Sequence, residues 1–149
     1  MKYHHLKVVA FFAAASIGFT TSAQQTVTAQ IHTSLLAEQA AFGKNCAEAS
    51  SYLSGKINWH VEGAVKSKSE LVNLCHFISQ KKGMPPRKLI DHKLTELSAV
   101  SGFSVSTYSV GKHAEKVQVV TKIWNKVQEQ WQVVHAQEST SVKKEKESI

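Results

Sequence analysis

The amino-acid sequence predicts an α+β domain in which helices come first and a set of antiparallel strands follows. Apolar residues recur at steps of three and four over residues 26–54 and again after Ser67, and they alternate at a period of two from Lys88 onward. In this arrangement the strands form one antiparallel sheet, and the helices pack on one of its faces. The chain has 149 residues, 42% of them apolar and 19% charged, and this is the size and composition of one modest globular domain.

The first 23 residues have the pattern of a secretory signal peptide. Lys2 and Lys7 precede a 12-residue apolar block over 8–19, and small residues follow as far as Ala23, after which we expect cleavage. A bilayer-spanning helix needs roughly 20 apolar residues, so this block is too short for an anchor. The sequence therefore predicts a secreted or periplasmic protein with no membrane span after cleavage.

The predicted mature domain covers residues 24–142 and opens with a long amphipathic helix over 26–54. Gly43 interrupts the apolar stripe of this helix, which we expect to bend or split there, because glycine costs about 1 kcal/mol relative to alanine in a helix. Ser54 and Gly55 provide a stop signal. Residues 143–149 are strongly charged and are expected to form a flexible tail.

The remaining elements follow from the spacing of apolar residues. Over residues 57–62 apolar and polar side chains alternate, which predicts a half-buried strand. Ser67 and Glu70 have the spacing of a capping box at the start of a second helix. That helix ends by Gly83, since Pro85 and Pro86 follow. Further strands are predicted over 88–100, 103–110, 114–127 and 131–142.

The charge pattern argues against nucleic acid as a partner. The formal net charge is +7, but Arg87 is the one arginine, and the basic residues around 81–88 have no interleaved aromatic residues. Bidentate base recognition and base stacking both lack their usual side chains here. A solvated basic loop is the better interpretation.

Cys46 and Cys75 leave two alternatives open. In an exported protein they can form a disulfide, but each also lies on the apolar stripe of a predicted helix, where a buried free thiol is common. No CxxC or HxxxH pair accompanies them, so we expect no zinc site. The sequence also has no metal-ligand cluster and no Gly-rich phosphate loop, and we therefore expect no other metal and no cofactor.

The C-terminal residues resemble a known fold family. The segment 119–124, a short polar turn and the segment 131–139 are similar to the closing hairpin of the nuclear transport factor 2-like superfamily, in particular SnoaL-like domains and the association domain of calcium/calmodulin-dependent protein kinase II. Members usually carry Asp-Gly in the last turn, where this chain has Gln128, Glu129 and Gln130. The resemblance implies a cone-like curved antiparallel sheet wrapped around N-terminal helices, with a pocket, and a homodimer formed through the sheet.

The resemblance does not decide the function, because this fold carries isomerases, dehydratases, epoxide hydrolases and non-catalytic assembly domains. Catalysis would have to use Asp91, the one aspartate, with a histidine or tyrosine. The candidate ligand-binding residues are five aromatic or imidazole side chains: Trp59, His60, Tyr108, Trp124 and His135. His135 has the strand parity of Trp131 and Val133, which places it on their face, while His60 has the opposite parity to Trp59.

The leading hypothesis is an exported pocket domain that binds a small apolar molecule or a partner chain without turnover. An isomerase or dehydratase built on Asp91 is the first alternative, and an oligomeric assembly module is the second. The missing set of acids and bases favours binding over catalysis.

Overall fold

The computed structural model describes residues 25–81 and 87–142. The described helices are α1 (Val27–Ala41), α2 (Cys46–Ser51) and α3 (Lys68–Gln80), and the strands are β1 (Leu53–Val61), β2 (Ala64–Lys66), β3 (Lys88–Ser98), β4 (Ser101–Val110), β5 (Lys116–Val127) and β6 (Gln130–Val142). The predicted signal peptide, most of the basic loop and the charged tail lie outside the described residues. Over 25–81 and 87–142, no helix combines the length and the apolar character that crossing a membrane requires.

The six strands form one curved, open sheet in the order β2-β1-β6-β5-β4-β3. All neighbours are antiparallel except β1 and β6, which run parallel. The sequence predicts successive antiparallel strands and does not reveal this parallel pair. It arises because α3 carries the chain from β2 at one edge to β3 at the other, so that the following hairpins end on β6 beside β1.

The predicted first helix is divided at Gly43. Gly43 has a positive φ of +76°, and a Cβ atom built on it would lie 2.8 Å from Cγ2 of Ile78, so both the backbone and the available space favour glycine. Asn45 then caps α2 through its side chain. The expected stop at Ser54 and Gly55 is wrong, because β1 already begins at Leu53, where the chain pairs with β6.

The second predicted helix begins as expected. The Ser67 hydroxyl accepts a hydrogen bond from the backbone N–H of Glu70, and the Glu70 carboxylate accepts one from the backbone N–H of Ser67. This backbone hydrogen bond holds the pKa of Glu70 below its ordinary value. The short strand β2, which the sequence analysis does not predict, precedes this cap and pairs with β1.

One face of the sheet, called the inner face here, is covered by α1 and carries Trp59, Tyr108, Val120 and Trp124. The opposite face is called the outer face. Helix α1 lies close to β4, since a Cβ atom built on Gly102 of β4 would come within 2.5 Å of Cδ1 of Ile31 on α1. The buried core lies between the inner face and the helices α1 and α3. It comprises Ile31, Leu35, Leu53, Ile57, Trp59, Leu71, Tyr108, Val120, Trp124, Trp131, Val133 and Ala136.

A second, smaller cluster lies between the helices. Cys46 of α2 and Cys75 of α3 form a disulfide there, packed with Ala41 and Ala49. Of the two alternatives that the sequence leaves open, the structure contains the bridge.

Candidate functional site

Three of the five candidate ligand-binding residues lie together under α1. Trp59 on β1, Tyr108 on β4 and Trp124 on β5 are all buried on the inner face. Their strands alternate between buried and less buried residues, which is the period-two pattern of a strand with one face packed on the core. The inner face therefore carries the aromatic part of the predicted site.

The other two candidates, His60 and His135, lie on the outer face. His60 alternates with Trp59, as expected, but the predicted position of His135 beside Trp131 and Val133 is wrong. Val133 pairs with Trp124, whereas His135 pairs with Ile123, so one extra residue of β6 stands opposite a single step of β5. This β-bulge reverses the side-chain alternation, and His135 points away from the core.

Asp91 does not join the aromatic group. It is exposed on β3 and stands opposite Thr107, whereas Tyr108, the next residue of β4, is buried on the inner face. Directly opposed residues share a face and consecutive residues alternate, so Asp91 belongs to the outer face. The structure thus separates Asp91 from Tyr108 and brings it near neither tryptophan of the site.

The interior contains an ion pair that the sequence analysis missed. The Lys122 Nζ atom on β5 donates a hydrogen bond to Glu38 Oε2 on α1 at 2.5 Å, and the two side chains are only 2% and 5% exposed. A signal existed for each partner: Glu38 continues the stripe of Ile31 and Leu35 on α1, and Lys122 alternates with Val120 and Trp124 on β5. A charged residue on the apolar face of each element indicates a buried pair.

Two indole rings stand beside the buried ammonium group. The Lys122 Nζ atom is 5.1 Å from the centre of the Trp59 ring and 5.7 Å from the centre of the Trp124 ring. A cation within about 6 Å of an aromatic face is attracted by the ring quadrupole. The ion pair and both tryptophans therefore form one group, with a positive and a negative charge that cancel.

The three tryptophans differ in whether the indole N–H group has a hydrogen-bond partner. Trp124 donates to the Ser104 hydroxyl at 2.9 Å, and Trp131 donates to Gln30 Oε1 at 3.0 Å. Within the described residues, the Trp59 N–H and the Ser106 hydroxyl are buried and have no partner, and the side-chain oxygen of Gln118 is a third such atom. An unsatisfied buried polar group costs about 1–3 kcal/mol, so these groups call for a partner that the described chain does not supply.

Tyr108 marks the end of β4 that is nearest to Arg87. Its hydroxyl accepts a hydrogen bond from the Gln39 side-chain amide of α1, and the Arg87 guanidinium lies 3.6 Å from the centre of its ring. Arg87 itself is exposed. An exposed cation thus stacks on a buried phenol where α1 meets β4.

The amino-acid sequence matches no protein-family model and no curated protein sequence. Solved structures do share the architecture. A protein of unknown function from the DUF3225 family of Pectobacterium atrosepticum has a TM-score of 0.66 at 16% identity, over 79% of this chain and 93% of its own. A proposed ketosteroid isomerase of Shewanella frigidimarina has a TM-score of 0.60 at 16% identity, over 72% and 92%.

A third similar structure is that of a proposed dehydratase from the nuclear transport factor 2-like family of Streptomyces avermitilis, with a TM-score of 0.64 at 13% identity, over 78% of this chain and 96% of its own. These likenesses confirm the fold that the closing hairpin predicts. At such low identity they say nothing about the reaction or ligand of this chain, which depends on its own side chains.

Proposed function

From this nuclear transport factor 2-like fold and its polar interior, we propose that the protein binds a small, mainly apolar ligand between α1 and the inner face of the sheet, without chemical turnover. The observation that carries the proposal is the presence of buried polar groups without a partner, above all the Trp59 N–H and the Ser106 hydroxyl. They belong to the same inner face as two indole rings, which offer flat apolar surface to a ligand. Ligand sites of this kind are mostly apolar with a few placed polar groups.

The chemistry of these groups narrows the ligand class. The indole N–H can only donate, and the hydroxyl can donate as well as accept. The charges of Lys122 and Glu38 cancel, so a ligand with a charge of its own would be buried without compensation. The ligand that fits best is therefore planar, uncharged and equipped with a hydrogen-bond acceptor such as a carbonyl oxygen.

Entry requires α1 or the Arg87 side chain to move aside. Lys122 and Trp124 are fully enclosed, whereas the exposed Arg87 covers Tyr108 at the boundary between α1 and β4. Loops and element ends absorb such motions more easily than packed strands. This boundary is the proposed route into the interior.

The matched probes methyl 2-naphthyl ketone and naphthalene test the proposal, because they differ only in the acceptor group. We expect calorimetric titration to show saturable binding of both, with the ketone bound about fivefold to tenfold more tightly, as expected for one hydrogen bond of about 1 kcal/mol. Trp59→Phe keeps an aromatic ring but removes the N–H, and should abolish the preference for the ketone.

Two control variants complete the experiment. Trp131→Phe removes an indole N–H that already has a partner, and Asp91→Asn changes the outer face; both should leave the ketone preference unchanged. If neither probe binds saturably, the proposed function is wrong. The same ketone should also be assayed for chemical conversion. If the parent protein converts it and Asp91→Asn abolishes the conversion, the isomerase or dehydratase alternative replaces the proposed binding function.

A second candidate function, assembly through the sheet, is favoured by apolar residues on the outer face. Phe103 and Val105 of β4 and Val119 of β5 lie there half-buried on neighbouring strands. A patch of this kind on a sheet is commonly covered by a second copy. Native mass spectrometry should show a dimer at micromolar concentration that Val105→Lys converts to monomer and Val65→Lys, on exposed β2, does not; a parent chain that is monomeric contradicts this candidate.

The proposed function also includes export of the protein from the cytoplasm. The leader pattern ending at Ala23 supports it, and so does the Cys46–Cys75 disulfide, because such bridges persist mainly in oxidising compartments. We infer that the protein is secreted or periplasmic.

A further inference from the structure

Although the sequence alone predicts no metal site, we propose that His60 and His135 form a binding site for zinc, or a similar divalent transition-metal ion, on the outer face of the sheet. His60 belongs to β1 and His135 to β6, and these two neighbouring strands run parallel. Asn58 stands opposite His135, and His60 follows two residues later on the same face. The bulge in β6 is what brings His135 to this face.

The distance between the rings is the one a shared zinc ion requires. The centres of the two imidazole rings are 5.2 Å apart, and their planes are inclined by 48°. Two imidazoles that bind one tetrahedral zinc, each through a Zn–N bond of about 2.0–2.1 Å, have ring centres about 5 Å apart. The backbone thus already holds the two rings at a chelating separation.

Both imidazoles are available for coordination. Each residue is half-buried, so part of it remains open to solvent. Among residues 25–81 and 87–142, no side chain forms a hydrogen bond or ion pair with either ring. Neutral imidazole is the commonest protein ligand for zinc, and little has to be displaced for the metal to bind.

The other close histidine pair of the described chain provides the contrast. His32 of α1 and His92 of β3 have ring centres 4.7 Å apart, but their planes are inclined by only 11° and the rings are stacked. The nitrogen lone pairs lie in the ring planes, so in a parallel stack they point side by side and do not converge on one ion. The stacked arrangement therefore disfavours a shared metal ion at His32 and His92, and the inclined rings of His60 and His135 lack this obstacle.

The two histidines would supply half of a tetrahedral shell. Over the described residues, no group of three or more His, Cys, Asp or Glu side chains is placed to hold a metal. Water would complete the shell, and an open shell of this kind binds zinc more weakly than a closed structural site. Imidazole ligands also exclude Mg²⁺, which requires oxygen ligands.

The test is calorimetric titration of the protein, prepared without a polyhistidine tag, with zinc chloride in a buffer that does not chelate. We expect saturable binding of one zinc ion per chain and no heat with magnesium chloride. His60→Ala and His135→Ala should each weaken binding at least tenfold, since removal of either ligand leaves a single imidazole. The matched control, His32→Ala with His92→Ala, should bind zinc as the parent does.

Nuclear magnetic resonance of the unaltered protein gives a second measurement that does not depend on how the variants fold. Zinc should shift the ring C–H resonances of His60 and His135 together, with the same concentration dependence, and leave those of His32 and His92 in place. The proposal is overturned if His60→Ala and His135→Ala bind zinc as tightly as the parent, or if the resonances of other histidines shift at lower zinc concentration.

Discussion

Replacing Lys122 by methionine is expected to lower the free energy of unfolding by about 3–5 kcal/mol, because it leaves the Glu38 carboxylate buried without its partner. Methionine retains most of the volume of lysine, so the loss reflects the missing charge and hydrogen bond more than a cavity. Both side chains are almost fully enclosed, and water cannot replace the ammonium group without opening the contact between α1 and β5. Urea unfolding followed by tryptophan fluorescence measures the change.

Two further variants separate the cost of an orphaned charge from the worth of the pair. Lys122→Met combined with Glu38→Leu removes both charges and should recover most of the lost stability. Lys66→Met breaks the ion pair of Lys66 with Glu70, whose two side chains are 43% and 48% exposed, and should have far less effect on stability than Lys122→Met. Equal effects of Lys122→Met and Lys66→Met would contradict the burial of the pair.

Removing the disulfide is expected to have an effect of similar size through a different mechanism. Cys46 and Cys75 are separated by 29 positions, and closing a loop of this length stabilises the folded state by about 3.5 kcal/mol in the chain-entropy model. The variant with both cysteines replaced by alanine should unfold at correspondingly lower urea concentration. Reduction of the parent protein with a thiol should produce the same shift and have no effect on the variant.

Binding of the ketone probe serves as the control for the disulfide experiment. The disulfide lies in the cluster of Ala41, Cys46, Ala49 and Cys75, which is separate from the core that contains Trp59 and Trp124. The folded variant should therefore bind methyl 2-naphthyl ketone with the affinity of the parent. An unchanged unfolding midpoint in the alanine variant would show that the bridge does not constrain the unfolded chain as proposed.

Much of the fold was predictable because its elements have regular periods. The apolar stripe of α1, the capping box at Ser67 and the alternation around Trp59 each specify a local structure from neighbouring residues alone. Three of the candidate ligand-binding residues, Trp59, Tyr108 and Trp124, are also buried in the structure. Local signals were sufficient wherever the strand remained regular.

The remaining features depend on contacts between residues that are distant in the chain. One bulged residue before His135 reverses the face predicted from its parity with Val133, and a bulge is defined by the partner strand. The parallel pairing of β1 with β6 likewise requires knowing where α3 delivers the chain. Glu38 and Lys122 were visible as charges on apolar faces, but their pairing across 84 positions was not.

By itself, the sequence determined the kinds of the main elements, their order and the alternation around Trp59, because helix and strand periods are properties of residues a few positions apart. Only the tertiary structure decided how the buried charges pair and which face Asp91 and His135 occupy. It put the charges of Glu38 and Lys122 together inside, sent Asp91 outward, and set His60 beside His135. These placements result from strand register and helix packing, in which the position of one side chain depends on residues far away in the chain.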